Sequence, residues 1–267
     1  GLDKPLYEQL ITYITGIFRG DFGYSLTYHK PVLQVIGQRI PNTLILVLPI
    51  LIIGVPLGIL LGTYCARKVP SKADKIMQSL SFMLYSMPTF WVGLIFIQIF
   101  TIRLSWFPML GGGIVPIRDR AILEYLSDLL WHLIPPFISL VIVWTIPLFM
   151  KLTRSSILEV MDEEYITALK CVGMKEGRIF FRHALRNALL PSITMIGILI
   201  GQIFMGSVLI ETVFTWPGLG LLMLESIHAR DYPLLMGMFF VVSISVTIAC
   251  LITDLIYAYI DPRVVFE

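Results

Sequence analysis

The chain of 267 residues is 57% hydrophobic and only 14% charged, with a mean hydropathy of +0.83. A soluble domain carries about one-quarter charged residues, so the composition excludes one and indicates an all-α integral membrane protein. The formal net charge of +2 is less informative than where the charges lie, and no nucleic-acid partner is expected.

Residues 1–41 hold no spanning run and form an outer-side segment. Gly20-Asp21-Phe22-Gly23-Tyr24-Ser25 is turn-rich. Val32, Val35, Ile36 and Ile40 recur at helical spacing and predict a short interfacial helix. A transmembrane domain over 42–260 follows, with a tail at 261–267. An apolar helix needs about 20 residues to cross a bilayer, and five runs qualify: about 43–65, 76–102, 132–150, 188–210 and 233–257. The first contains Pro49, Gly54, Pro56, Gly58 and Gly62, small residues that let helices approach closely and prolines that buried spans tolerate. The second contains Tyr85-Ser86-Met87-Pro88-Thr89-Phe90-Trp91 and leads into a Gly/Pro-rich loop around Gly111-Gly112-Gly113 and Pro116. The third contains Pro135, Pro136 and Pro147.

Orientation follows from the loops. Arg67, Lys68, Lys72 and Lys75 follow the first span, with Asp74 as the one acid. The loop at 151–187 carries Lys151, Arg154, Lys170, Lys175, Arg178, Arg182 and Arg186, whereas Arg230 is the one base of the Glu211–Tyr232 loop. Basic loops stay in the cytoplasm, so residues 1–41 are expected outside and the C-terminus inside. Residue 1 is Gly, and no signal-peptide pattern opens the chain. A segment that starts outside on these terms implies an earlier, missing N-terminal helix.

Apart from Asp254, three residues from the end of the last one, no predicted span contains Asp, Glu, Lys or Arg between its ends, which argues against a proton- or sodium-coupled carrier and against a voltage sensor. A channel or secondary carrier is the rival class, and it needs a polar pathway of its own. No Gly-x-x-x-x-Gly-Lys-Ser/Thr phosphate loop is present, so any ATP is bound by another subunit. His29, His132, His183 and His228 lie in separate segments, and Cys65, Cys171 and Cys250 form no Cys-x-x-Cys pair. Neither a metal site nor catalytic residues are expected.

The stretch from Met161 to Pro191 is charged between apolar neighbours. Asp162 is placed to cap a helix whose first turn holds Glu163 and Glu164. Tyr165, Leu169 and Val172 fall on one face with Ile166 beside them, and Gly173 sits where a left-handed C-cap ends the helix. Two readings stay open: a solvated loop helix, or an apolar face awaiting a partner surface.

Glu164-Tyr165-Ile166, Ala168, Gly173 and His183-Ala184-Leu185-Arg186-Asn187-Ala188-Leu189-Leu190-Pro191 resemble the cytoplasmic loop of ABC-importer permeases, of the oligopeptide/dipeptide/nickel branch in particular. Gly-Asp-Phe-Gly-x-Ser from Gly20, Pro31-Val32, Arg39-Ile40-Pro41-Asn42-Thr43-Leu44, Glu211 to Gly220 and Arg230-Asp231-Tyr232-Pro233 resemble other stretches of that branch. The general motif has Glu-Ala-Ala and then a glycine four residues on; Thr167, Ala168, Leu169 and Gly173 occupy those places here, so the acid and one alanine are absent.

The resemblance implies a type I ABC importer permease fold whose loop carries a coupling helix for an ATPase. Glu163, Glu164, Tyr165, Ile166, Ala168, Leu169 and Gly173 are then the ATPase-coupling residues, with Glu164 making the polar contact. Tyr85, Pro88 and Phe90 resemble the family's pathway-lining helix. Phe214, Trp216 and Pro217 resemble its outer mouth, although on chemistry alone the two aromatics suit an interfacial belt equally well. Also implied are a bacterial inner membrane, a second homologous permease, two ATPase subunits carrying ATP and Mg, and an extracytoplasmic solute-binding protein. This chain itself would bind no cofactor. Peptides are the expected cargo, with nickel, glutathione or another small solute as alternatives.

Overall fold

The computed structural model describes residues 5–108, 122–202 and 208–260, and every element among them is helical. In chain order these are α1 (Leu6–Phe18), α2 (Val32–Arg67), α3 (Lys72–Tyr85), α4 (Thr89–Arg103), α5 (Leu123–Met161), α6 (Glu164–Cys171), α7 (Glu176–Ile200), α8 (Val208–Val213), α9 (Leu219–Ala229) and α10 (Tyr232–Ile260). Four are long and apolar enough to cross a bilayer, or five if the bent pair α3–α4 counts as one span. The Gly111–Gly113 loop, the first four residues and the tail at 261–267 lie outside the described residues.

The helices differ from the predicted spans in ways that have physical causes. α1 was not anticipated, because none of its residues is buried and its apolar side chains form no spanning run. The interfacial helix expected near Pro31–Ile40 is the N-terminal end of α2, which runs for 36 residues without a break. At about 1.5 Å per residue α2 is about 54 Å long, well beyond the roughly 30 Å hydrocarbon layer. The second span is two helices bent by 94°. Pro88 forces the bend: it disfavours helical geometry at the preceding residue, and its own backbone is extended at ψ 130°. α5 continues to Met161, so the loop predicted from 151 is helical for its first three turns.

α2 and α5 share the most extensive contact in the chain. Gly54, Gly58 and Gly62 lie one turn apart and turn a bare backbone stripe toward α5. A Cβ on Gly58 would sit 2.7 Å from the Phe149 Cβ, and one on Gly62 would sit 2.6 Å from the Met150 carbonyl oxygen. Both helices widen to a π-turn at this crossing, Ile50–Gly54 in α2 and Val141–Thr145 in α5. Each π-turn lies between prolines, Pro49 and Pro56 in one, Pro136 and Pro147 in the other. Proline lacks the N–H of the i→i−4 ladder and its ring crowds the preceding turn, and a π-turn absorbs the mismatch. α5 is the central helix: 61% of its most apolar 18-residue stretch is buried, against 28% for that of α2 and 17% for that of α10.

The N-terminal end of α2 is sealed by a second cluster. Phe22 packs with Val32, Val35 and Ile36 of α2, Leu219 and Leu222 of α9, and Leu234 and Met238 of α10. The turn-rich segment carries Phe22 inward because Gly20 and Gly23 take left-handed backbone, at φ 77° and 79°. Asp231, fully buried, clamps the segment in place: it accepts hydrogen bonds from the Ser25 hydroxyl, the Thr27 N–H at 3.0 Å and the Leu234 N–H at 3.2 Å. Burial pushes the Asp231 carboxyl up, but these donors outweigh it and hold it below the usual carboxylate range.

Two predictions follow from the packing. Gly62→Val sets a branched side chain against backbone that cannot rotate away and is expected to cost about 1–3 kcal/mol or more; Gly37→Ala, where a Cβ meets nothing within 4 Å, is expected to be neutral or slightly stabilising. Thermal unfolding of the detergent-purified protein checks the pair. Because the folded Asp231 carboxyl titrates below its unfolded value, its stabilisation is complete above the ordinary carboxylate range and is lost as pH falls through the lowered value. Hydrogen exchange at residues 22–28, corrected for the intrinsic pH dependence, is expected to rise in acid. In Asp231→Ala it is expected to be raised already at neutral pH.

Candidate coupling loop and outer hairpin

α5 ends at Met161, and α6 begins at Glu164. Asp162 is the C-cap of α5 rather than the N-cap of α6; Glu163 holds the N-cap position in extended backbone without a side-chain cap bond. α6 ends as expected. Gly173 is left-handed at φ 81°, its N–H donates to the Lys170 carbonyl at 3.0 Å, and the Met174 N–H donates to the Leu169 carbonyl at 3.2 Å. That pattern is a Schellman cap. A Cβ on Gly173 would meet nothing within 4 Å, so backbone conformation alone calls for glycine there.

The faces of α6 correct one expectation. Ile166 is fully buried, packed with Ile179 and Ala184 and flanked by Val160, Met161, Leu169 and Met174. The apolar partner of this helix therefore lies within the loop itself, on the first turns of α7. Leu169 faces the same cluster and is part-buried. Tyr165 is 37% exposed, and its hydroxyl accepts a hydrogen bond from the Asn187 side-chain amide at 2.9 Å. The face left open carries Glu163, Glu164, Ala168 and Val172, with Val172 84% exposed. Glu164, Ala168 and Val172 recur at four-residue spacing and make one stripe. Periodicity placed Tyr165, Leu169 and Val172 together, but the cap at Gly173 turns Val172 out and the α7 contact draws Leu169 in.

Between α7 and α10, α8 and α9 form a hairpin, expected on the outer side, whose turn spans Phe214 to Gly218. Trp216 is 1% exposed and donates its indole N–H to the Asn42 carbonyl at 2.8 Å. Asn42 returns its side-chain amide to the Pro217 carbonyl, also at 2.8 Å. Phe214 is buried with Leu46, Ile50, Leu133, Leu140 and Val141. The two aromatics are wedged between α2 and α5. Hydrogen bonding fixes the wedge, which the apolar pattern could not show.

Glu211, read from the sequence as the first residue of a loop, is fully buried and accepts a hydrogen bond from the Leu221 N–H at 3.0 Å. The Thr43 hydroxyl accepts from the Leu219 N–H at 2.8 Å and lies 3.4 Å from Glu211. A Cβ on Gly218 would come within 2.7 Å of the Glu211 carboxyl carbon, so the Pro217-Gly218 turn brings backbone against carboxylate.

Tyr85, Pro88 and Phe90 meet at the α3–α4 bend, all exposed. Behind the bend, Gly93 backs onto Phe214, Ile210 and Val213, where a Cβ would be 3.1–3.4 Å from their side chains. At the N-terminal end of α3, Asp74 is buried and receives a two-pronged ion pair from Arg154 of α5, Nε to Oδ1 at 2.7 Å and Nη2 to Oδ2 at 2.8 Å. Sequence reasoning counted both as loop charges. The single signal was an acid amid four bases, which becomes a buried pair only once α5 is seen to extend past residue 150. Among the described residues no group of three or more His, Cys, Asp or Glu side chains is placed to hold a metal.

Comparison with known proteins agrees with this architecture. The family described as "Binding-protein-dependent transport system inner membrane component" matches residues 54–266. The oligopeptide transport system permease protein AppB of Bacillus subtilis is 38% identical over 265 residues, covering 99% of this chain and 82% of the relative. The di/tripeptide transport system permease protein DppB of Pseudomonas aeruginosa is 36% identical over 279 residues, with the same coverage. The dipeptide transport system permease protein DppB of Escherichia coli K12 is 34% identical over 286 residues, again covering 99% and 82%. With several apolar helices and a match over most of its length, the chain belongs to the inner-membrane permease family of binding-protein-dependent ABC transport systems, and is a multi-pass membrane protein.

Proposed function

We propose that this chain is one permease subunit of an ATP-driven peptide importer, forming half of a translocation pathway and performing no bond chemistry. The observation that carries the reading is the open stripe Glu164–Ala168–Val172 on a helix that is rigidly seated from behind by Ile166, Leu169 and Tyr165. A capped helix held on one face and bare on the other suits docking to a separate subunit. The kinship with permeases named for oligopeptides, di/tripeptides and dipeptides supports peptides as the cargo.

In this reading α6 docks on one of two ATPase subunits, which bind ATP and Mg. Glu163 and Glu164 present carboxylates that arginines on the partner would meet in charge-assisted contacts. Gly173, through its cap, returns the chain to α7. A second homologous permease completes the pathway and an extracytoplasmic binding protein delivers the cargo. The exposed faces of Tyr85, Pro88 and Phe90 at the bend line the pathway. Phe214, Trp216 and Pro217 act behind them, as the wedge against which α4 moves through Gly93. The basic loops at Arg67–Lys75 and Lys170–Arg186 lie in the cytoplasm.

Burying a large apolar side chain is worth about 1.5–3 kcal/mol, so Val172→Asp or Ala168→Glu is expected to weaken ATPase association by about tenfold or more, read by detergent pull-down, with uptake falling in parallel. Ile166→Asp is expected to unseat α6 from α7 and raise proteolysis of the loop. Full association and uptake in Val172→Asp and Ala168→Glu together would make α6 a solvated loop helix. For orientation, cysteines at Lys72 and at Ile227, which is 49% exposed, are expected to label from opposite sides of the membrane in a cysteine-free background. Labelling of both from one side would contradict the topology.

A further inference from the structure

Only two residues of α3 are buried, Asp74 and Ser81, and both face α5. Asp74 meets Arg154, and the Ser81 hydroxyl lies 3.4 Å from the Pro147 carbonyl. The two steps are seven residues each and run in opposite directions, so α3 lies antiparallel along α5 in fixed register. Most of the remaining apolar side chains of α3 point away; Ile76, Leu80, Phe82, Met83 and Tyr85 are 48–70% exposed, while Met77 and Leu84 are part-buried and the Met77 sulfur lies 3.6 Å from that of Cys65 in α2. α3 is thus held by an edge, and its directional contact is the ion pair. Ser71 caps the helix by accepting from the Asp74 N–H at 3.2 Å, and the Gln78 amide donates to Asp74 Oδ1 at 3.1 Å. Gln78 and Arg154 thus share the Asp74 carboxylate.

We propose that the Asp74–Arg154 pair is the positioning link that makes α3 move as one body with α5, so that displacement of α6 is delivered to the α3–α4 bend. Arg154 stands two turns before the end of α5, and α6 starts three residues beyond that end. From α3 the path runs through the 94° bend to α4 and ends where Gly93 touches Phe214 and Ile210 of the outer hairpin. Apolar contacts along an exposed edge slide, whereas a two-pronged guanidinium–carboxylate pair fixes both distance and orientation. The link therefore joins the cytoplasmic helix to the outer wedge without requiring α2 to deform. It rests on the permease reading given above.

The test uses the whole complex, with ATPase subunits, partner permease and binding protein, in proteoliposomes. The readout is peptide delivered per ATP hydrolysed, together with subunit association. Arg154→Gln and Asp74→Asn are each expected to lower that ratio by about fivefold or more, the lower end of usual coupling energies, while ATP hydrolysis continues. The exchanged double variant D74R/R154D is expected to recover most of the loss. An unchanged ratio in both single variants would overturn the proposal. So would a parallel fall of hydrolysis and uptake that the exchange does not recover. Should the single variants fail to assemble, cysteines at both positions in a cysteine-free background, joined by a short bifunctional thiol reagent, replace the pair covalently. Transport that survives joining supports the link, and transport that joining stops shows that the helices must part. Failure of the unmodified complex to carry peptide would instead count against the permease reading.

Discussion

The architecture depends on one close crossing, that of α2 with α5. Gly58 and Gly62 bring backbone against backbone there, with the Met150 carbonyl and the Phe149 Cβ so near that no side chain fits. Within a bilayer lipid tails are as apolar as leucine, so hydrophobicity alone does not pair helices; close packing does. The crossing makes α5 the axis of the molecule, and the other elements attach to the two faces it leaves. Phe214 and Trp216 wedge in on the outer half. On the inner half Ile157 packs with Ala66, Phe180 and Ala188, and Arg154 takes hold of α3.

Buried polar groups follow the same logic. Asp74, Glu211 and Asp231 are all at most 3% exposed, and each lies near a helix end with specific donors around it. A carboxylate in an apolar setting is costly unless paired or hydrogen-bonded. Glu211 and Asp231 are met largely by backbone N–H groups, which fixes how the outer hairpin and the 22–28 segment join α2 and α10. Asp74 is met by a side chain, which joins helices that are 80 residues apart in sequence. The first two arrangements hold shape; the last carries displacement.

Much of the fold was legible because spans declare themselves by length and apolarity. The end of α6 was legible from Gly173, but the break at Pro88 was not, because other prolines such as Pro41 and Pro135 stand inside continuous helices. Other helix ends were not legible either. Charged residues such as Lys151, Arg154 and Lys72 stand on helices that project past the apolar layer, and composition counts them as loop. The inward turn of Ile166 and Leu169 was illegible for a related reason: their partners, Ile179 and Ala184, lie in a π-turn that starts α7, and no periodicity within α6 points to it. Phe214 and Trp216 were ambiguous because an aromatic pattern does not distinguish gate, anchor and wedge. The indole bond to Asn42, across 174 residues, is what seats Trp216 within this chain.

The central claim is that the open stripe of α6 is occupied by another subunit. The most direct measurement places a photo-reactive phenylalanine analogue at Val172 in the chain, expressed with its native partners in intact membranes, and identifies what it captures on illumination. The account predicts a covalent product with an ATPase subunit, absent when the analogue is placed at Ile166, where this chain's own residues surround it. Capture at Val172 of lipid or of this chain alone would contradict it.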